Sequence, residues 1–188
     1  MRIETERLIL REFTAEDLPA MLAYWRDPRY QTFYRETKDR ESVVRELIDR
    51  FVAAQTEEPR RIWQLAIADP LSGKFIGHCG VRVNDPVRRE ANIGYELDPN
   101  VWGRGYATEA ARTLLEFGFA ELGMHRVWAE CVAENVRSSR VMERLGMRRE
   151  AHFREHQWFR DRWWDTLIYA ILDHEWIASR ERVAPDGR

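Results

Sequence analysis

The sequence predicts an α/β (α+β) fold in which helices flank a mixed β-sheet, and two patterns support this class. Residues 62–68, 75–83 and 92–97 form three strand-like runs separated by turn-forming residues, which is typical of an antiparallel meander. The run at 92–97 is followed by a glycine-containing turn, a segment of helical periodicity and another strand-like run at 126–132. Such a crossover joins parallel strands, so we expect both orientations in one sheet.

The N-terminal half is predicted to begin with one strand and two helices. Alternating residues over 4–13 predict a strand, and Thr14 is a candidate cap for the helix-like segment 15–25. A second amphipathic segment follows at 40–54. The three strands of the meander complete this half.

The C-terminal half is predicted to contain two helices and a hairpin. Apolar residues recur with helical spacing from Ala107, and this helix is expected to end near Gly123. A shorter helix is predicted at 137–145. Strand-like segments at 148–158 and 162–172 flank a turn, so the chain is predicted to close with a hairpin.

Size and composition indicate one globular domain. With 188 residues, 44% hydrophobic and 33% charged, the chain is long enough for one sizeable core and short for two domains. We expect the domain to cover residues 1–179 and residues 180–188 to form a disordered tail. No apolar run reaches the roughly 18 residues that span a bilayer, and the N-terminus does not resemble a signal peptide, so a cytoplasmic protein without membrane contact is expected. The net charge of -2 indicates no nucleic-acid partner.

The cysteines and histidines show no metal-binding or redox pattern. Cys79 and Cys131 lie in strand-like apolar runs without paired spacing, so buried reduced thiols are expected. His152 and His156 would share a strand face but lie too far apart for a compact metal site. No metal is assigned.

The clearest functional feature is a turn between a strand and a helix. Gly103 and Gly105 precede the helical segment, and glycine lets a ligand approach the backbone closely. The first amides of the helix have no internal partners, so several N–H groups can converge on one anion, and Arg104 can add a charged contact. A purely structural tight turn is the alternative interpretation.

Two other phosphate-binding motifs are excluded by the pattern of this turn. It has neither the lysine and hydroxyl residue of nucleotide triphosphatase loops nor the glycine spacing of dinucleotide-binding folds. The candidate anion site therefore consists of Val101, Trp102, Gly103, Arg104, Gly105, Tyr106, Ala107 and Thr108.

Three motifs, in this order, resemble those of the GNAT superfamily of N-acetyltransferases. They are GYELDPNVWGRGYATEA, then HRVWAECVAENVRSSRVMERLGM after one helix, then the hairpin ending in WWDTLIYAILDHEW. The likeness is to the branch that includes the ribosomal-protein N-terminal acetyltransferases, and it covers nearly the whole chain. It implies a mostly antiparallel, twisted sheet that is splayed in the middle, between the strands at 92–97 and 126–132.

The resemblance implies acetyl-coenzyme A as the co-substrate. In the family its pyrophosphate lies on the turn that matches residues 101–108, and its pantetheine arm pairs with the residues that match Glu96 and Leu97. Asn135 matches a residue that contacts the pantetheine region, and Ser138 matches the acid that protonates the leaving thiolate. From the sequence alone, helix capping is the alternative role for Asn135 and Ser138.

The general base stays open between three carboxylates and a water molecule. Glu96, Glu130 and Glu155 each lie on a predicted strand, where a carboxylate faces either the cleft or solvent. In some relatives the base lies at the position that matches Gln157, which has no carboxylate. Glu155 lies two residues earlier, on the same predicted strand face, and is a candidate substitute.

Aromatic residues are the candidates for an acceptor pocket, with core packing as the alternative. Trp25, Tyr30, Tyr34 and Trp158 are assigned to it. The expected reaction transfers an acetyl group to a primary amine by direct attack, with the Leu97 amide as oxyanion donor and a protein N-terminus as acceptor. A small-molecule acceptor and a catalytically silent acyl-coenzyme A binding module are the alternatives. The sequence leaves a homodimer open.

Overall fold

An eight-stranded sheet organises the computed structural model, which describes residues 1–35 and 39–181. Its strands are β1 (Arg2–Glu4), β2 (Ile9–Glu12), β3 (Ile62–Ala68), β4 (Phe75–Asp85), β5 (Glu90–Leu97), β6 (Arg126–Val132), β7 (Arg148–Phe159) and β8 (Arg162–Leu172). Their order across the sheet is β1-β2-β3-β4-β5-β6-β8-β7, and β5 with β6 is the parallel pair. The predicted mixed, mostly antiparallel sheet is confirmed.

Helices pack against both faces of this sheet. In the described residues they are α1 (Leu18–Trp25), α2 (Pro28–Gln31), α3 (Arg40–Ala53), α4 (Tyr106–Ala120), α5 (Val136–Arg144) and α6 (Asp173–Glu181). The first three helices share a hydrophobic cluster that contains Phe13 and Phe51. The last three bury residues such as Leu114 and Met142 in a larger cluster on the other face. Among the described residues, no helix is both long and apolar enough to cross a membrane.

Helix α4 follows the predicted apolar spacing and forms the crossover between β5 and β6. The side chains that point to the sheet are fully buried, at 0% exposure: Ala110, Ala111, Leu114 and Leu115. The helix starts after Gly105 and ends at Ala120, three residues before Gly123, whose φ of 63° no longer fits a right-handed helix. Burial of one helix face thus fixes where the preceding turn stands.

The single N-terminal strand predicted over 4–13 is wrong, because the structure has two strands there. β1 and β2 pair antiparallel and are separated by a turn. The Thr5 N–H donates to the Leu8 carbonyl at 2.9 Å, and the Leu8 N–H donates to Thr5 Oγ1 at 3.0 Å. A side chain that bonds to nearby backbone competes with a continuous strand, which alternation alone does not reveal.

The prediction that the chain closes with a hairpin is also wrong, because α6 follows β8. Asp173 places an acidic residue in its first turn, where the helix dipole favours negative charge. Trp176 is 3% exposed and lies 6.1 Å from Phe119 between ring centroids. The predicted tail, 180–188, begins inside this helix, and from residue 182 onward it lies outside the described residues.

The sheet opens in its middle, between β5 and β6. Their parallel pairing covers three residues of each strand and ends at Asn92 and Trp128. Beyond that pair β5 keeps its partner β4 as far as Leu97, and β6 keeps its partner β8 as far as Val132. The two strands therefore diverge and leave a V-shaped cleft, as the family resemblance implied.

Candidate active site

The turn between β5 and α4 has the backbone conformation that an anion cradle requires. Gly103 and Gly105 have φ values of 79° and 81°, and Gly105 is the N-cap of α4. A Cβ atom at Gly103 would meet nothing within 4 Å, so the turn faces open space there. Because the first amides of a helix lack internal partners, the turn fits a phosphate group.

The same turn is fixed by residues of the turn between β1 and β2, through contacts that sequence reasoning missed. Arg7 Nη1 donates to the Arg104 carbonyl at 2.9 Å, and Arg7 Nε donates to Glu109 Oε2 at 2.7 Å. Thr5 Oγ1 donates to Glu109 Oε1 at 2.6 Å. Burial tends to raise the pKa of Glu109, but the hydrogen bonds from Thr5 and Arg7 outweigh it and the pKa is lowered. The sequence feature that could have indicated these contacts is Glu109, an acidic residue in the first turn of α4.

The end of β5 points backbone groups into the cleft. The Asp98 N–H donates to the Ile76 carbonyl at 2.9 Å, so Gly77 and Leu97 form a non-hydrogen-bonded pair of the antiparallel ladder. The peptide groups of Leu97 therefore point towards β6. Its carbonyl accepts from Trp102 Nε1 at 2.8 Å. The Leu97 N–H is thus well directed for the predicted oxyanion role.

On one face of β5 a hydroxyl pair meets α5. Tyr95 Oη donates to the Ser138 carbonyl at 3.0 Å and lies 3.1 Å from Ser138 Oγ. Burial raises the pKa of Tyr95, so its hydroxyl stays protonated at neutral pH. Asn135 Oδ1 accepts from the Ser138 N–H at 3.3 Å, which makes Asn135 the N-cap of α5. Helix capping, the alternative role given from the sequence, is observed for Asn135.

Glu96 lies on the opposite face of β5, because successive side chains of a strand alternate. Its side chain is 21% exposed; Tyr30 Oη donates to its Oε2, and His78 Nε2 lies 3.1 Å from the same oxygen. Burial tends to raise the pKa of Glu96, but His78 and the Tyr30 hydroxyl outweigh it, so the pKa is lowered. The carboxylate is therefore ionised at neutral pH.

Three of the four predicted pocket aromatics cluster around Tyr30, whose hydroxyl donates to this carboxylate. The Tyr30 ring stacks on Tyr34 at 4.5 Å between centroids and lies 5.8 Å from Trp25. Trp158 is not with them: it is 52% exposed near the tip of the β7–β8 hairpin, 5.3 Å from Trp163. The structure thus brings together Trp25, Tyr30 and Tyr34 and leaves Trp158 apart.

The hairpin instead meets α2 through residues that the sequence did not single out. Arg160 Nη2 donates to the Gln31 carbonyl at 3.0 Å. Phe159 and Trp164 stack at 4.7 Å, and Phe33 packs edge-on against Trp164 at 6.1 Å. Helix α2, only four residues long, was not predicted, so this contact had no signal in the sequence.

The other two candidate carboxylates lie away from Glu96. Glu130 is exposed on β6 and pairs in register with Ile168. Glu155 lies in a bulge of β7, with φ of 49°, and its N–H donates to Asp165 Oδ1 at 2.8 Å. The bulge interrupts the alternation that was used to place Glu155 on the same face as Gln157.

Comparisons with known proteins agree with this geometry. The family model "Acetyltransferase (GNAT) domain" matches residues 7–148. The uncharacterized N-acetyltransferase YnaD of Bacillus subtilis is 35% identical over 178 residues, covering 94% of this chain and 99% of that protein. A GNAT-family acetyltransferase structure from Bacillus anthracis has a TM-score of 0.79 at 30% identity, covering 93% of this chain and 99% of that chain.

A further structure shares the fold. RimL, a ribosomal α-N-protein acetyltransferase solved in complex with coenzyme A, has a TM-score of 0.80 at 17% identity, covering 92% of this chain and 99% of its own. The family match, the relative and the cleft agree with one another. The chain therefore belongs to the GNAT family and is an acetyl-coenzyme A dependent N-acetyltransferase.

Proposed function

We propose that this enzyme acetylates a primary amine of the α-amino type, as at a protein N-terminus, and that the amine attacks acetyl-coenzyme A directly. One observation carries the proposal. Tyr95 and Glu96 are consecutive residues of β5 and face opposite sides of the sheet at the place where it is open. A hydroxyl pair and a carboxylate thus flank one cleft from two sides, which suits a thioester on one side and an amine on the other.

The cofactor side is assigned to the turn and to the backbone of β5. We assign the pyrophosphate to the amides of residues 101–108, with Arg104 as a further contact, and the pantetheine region to Asn135. The hydrogen bonds between β4 and β5 alternate along the strands. The N–H and C=O groups of Tyr95 and Leu97 therefore point towards β6, whereas those of Glu96 point towards β4. Pairing with the pantetheine arm therefore falls to Tyr95 and Leu97.

The proposed step removes one proton from the amine and adds one to the sulfur. The amine nitrogen bonds to the carbonyl carbon while the Leu97 N–H donates to the carbonyl oxygen, which gains negative charge. Glu96 takes the proton that the nitrogen loses, directly or through water. The carbon–sulfur bond then breaks, and Ser138 donates a proton to the departing thiolate and regains one from solvent.

A covalent intermediate on the enzyme is disfavoured by the state of Cys131. This thiol is free and buried beside Ser138, on the cofactor face. Burial raises the pKa of Cys131 to about 11, so the thiol is protonated at neutral pH. Because the thiolate is the nucleophile, Cys131 is poorly suited to accept the acetyl group. Direct attack by the amine remains.

The acidity of the acceptor decides between classes of amine. An α-ammonium of pKa about 8 costs roughly 1.4 kcal/mol to deprotonate at pH 7, whereas a lysine-type ammonium of pKa about 10.4 costs roughly 4.6 kcal/mol. Glu96 has a lowered pKa and is a weak base. A weak base matches the α-amine better than the alkylamines of lysine or polyamines.

A panel of acceptors tests this function. The protein is incubated with acetyl-coenzyme A and with peptides bearing a free N-terminus, the same peptides with a blocked N-terminus and one lysine, polyamines or aminoglycosides. Release of free thiol is followed. We expect the highest kcat/KM for peptides with a free N-terminus. Turnover confined to a polyamine or aminoglycoside would move the acceptor to a small molecule.

Ser138→Ala is expected to lower kcat about tenfold and to leave the Kd for acetyl-coenzyme A unchanged. The leaving group limits how much this proton donor can accelerate the reaction. Protonation of a thiolate whose conjugate acid has a pKa of about 8.5 gains only about 2 kcal/mol at pH 7. Tyr95→Phe, which keeps Ser138, is the matched control and should cost less. Equal losses in both variants would assign the effect to packing of α5 rather than to proton donation.

A further inference from the structure

A buried polar chain runs behind Glu96. Arg82 Nη2 donates to Gln64 Oε1 at 2.7 Å, and Gln64 Nε2 lies 2.8 Å from His78 Nδ1. His78 Nε2 in turn lies 3.1 Å from Glu96 Oε2, a close contact in which its N–H is not aligned as a hydrogen bond. Gln64 and His78 are 1% and 5% exposed, so each polar atom there needs a partner within the protein. The chain links a guanidinium to the proposed base through one amide and one imidazole.

Gly80 makes room for this chain. It lies between His78 and Arg82 on the same face of β4, and a Cβ atom at Gly80 would stand 2.4 Å from Gln64 Oε1. The Gln64 amide therefore occupies the space that a side chain at position 80 would fill. The glycine has ordinary strand geometry, so its role here is space and not backbone freedom.

The buried polar chain of Arg82, Gln64 and His78 fixes which imidazole nitrogen of His78 carries the proton. Arg82 has only donors, so the Gln64 oxygen must face it and the Gln64 amide nitrogen must face His78. The amide nitrogen is a donor, so His78 Nδ1 must accept and cannot carry a proton. The imidazole is then neutral, with its hydrogen on Nε2, next to Glu96. The groups that lower the pKa of Glu96 are then the polar contacts with His78 and Tyr30 and the positive charge of Arg82, and not an imidazolium.

We propose that His78 is a positioning residue, held by Gln64 and Arg82 as the neutral Nε2–H tautomer so that its N–H lies against Glu96 and the imidazole does not itself act as the base. The inference rests on the proposed role of Glu96. His78 and Tyr30 both contact Oε2, which orients the carboxylate and leaves Oε1 to meet the acceptor. Protonation of His78 would place two donors against each other at Nδ1, so a proton from the amine stays on Glu96.

Nitrogen-15 NMR of the imidazoles in the full chain tests the tautomer without any assay of activity. Resonances of His78 are identified by their loss in His78→Asn, and the exposed His174 serves as the reference in the same spectra. We expect a neutral ring with the proton on Nε2 at pH 7. A proton on Nδ1, or an imidazolium, would overturn the assignment.

Gln64→Glu tests the positioning role, because it replaces the donor at Nδ1 by an acceptor with little change of shape. His78 then lies between two carboxylates, which favours an imidazolium. We expect that signal together with a fall in kcat of about tenfold or more, part of the roughly 10² to 10⁴ that a positioned base contributes. Gln55→Glu is the control and should retain kcat. Gln55 is also partly buried, but its amide donates to the Phe13 carbonyl and does not belong to the buried polar chain.

Gly80→Ala gives the same test without a new charge. The added methyl group would lie 2.4 Å from Gln64 Oε1 and 2.8 Å from the Trp63 carbonyl oxygen, so the Gln64 amide is displaced and the strand must also shift. The Nε2–H state is then no longer enforced, and kcat of the folded protein should fall by a similar factor, with denaturant unfolding measuring the cost in stability separately. Wild-type kcat in both Gln64→Glu and Gly80→Ala would refute the positioning role. Full activity of Glu96→Gln would instead refute the proposed base, and the NMR result would still decide the tautomer.

Discussion

Gly105→Val is expected to abolish measurable binding of acetyl-coenzyme A while the protein stays folded. Gly105 has φ of 81°, which a β-branched residue adopts only with strain, and as the N-cap it sets the direction of the first amides of α4. A Cβ atom at Gly105 would already lie 3.4 Å from Arg7 Nη2. Loss of one or two hydrogen bonds to a charged phosphate costs about 3 kcal/mol, or about 100-fold in Kd.

Gly123→Val is the matched control for backbone strain. Gly123 also has positive φ, and a Cβ atom there would meet nothing within 4 Å, at the far end of α4. Both variants should lose a similar part of their stability, about 1–3 kcal/mol, measured by denaturant unfolding. Calorimetric titration should detect binding only to Gly123→Val. Unchanged affinity in Gly105→Val would remove the proposed phosphate cradle.

Glu96→Gln is expected to lower kcat by about 10² to 10⁴ with little change in the Kd for acetyl-coenzyme A. The amide keeps the shape of the side chain and can still accept from Tyr30, but it cannot take a proton. Glu130→Gln and Glu155→Gln make the same change at the other two candidate carboxylates and should retain most of the activity. A loss confined to one of those two variants would move the base there.

The pH profile separates the carboxylate from the acceptor amine. Because the pKa of Glu96 is lowered, the carboxylate is ionised throughout the neutral range and loses its charge only as pH falls through that lowered value. The rise of kcat/KM near neutrality should therefore follow the acceptor ammonium and persist in Glu96→Gln. A rise that disappears in this variant would mean that Glu96 titrates near neutrality.

Sequence patterns within one segment were enough to predict those parts of this site that a single segment forms. Alternation along β5 is enough to separate Tyr95 from Glu96, and the glycines before α4 are enough to predict the turn. Alternation failed for Glu155, because a bulge depends on how two strands pair and not on one strand's residues.

Contacts between distant segments could not be predicted from those patterns. Arg7 reaches Glu109, and Gln64 reaches His78, only after the sheet has formed. In a single sequence His78 is one histidine in an apolar run, and Gly80 is one glycine in a strand. Their meaning comes from the neighbouring strand, whose register no local pattern specifies.

Because side chains of β5 alternate between its two faces, the number of residues in this strand decides on which side of the sheet each proposed catalytic group lies. A deletion or insertion of one residue between Ile93 and Tyr95 would exchange the two faces of everything that follows. The carboxylate would then turn towards α5 and the phenol towards α2, although the composition of the strand would hardly change. Among related chains, substitutions along β5 can thus accumulate one at a time, whereas a change of its length by one residue reverses every following side chain at once.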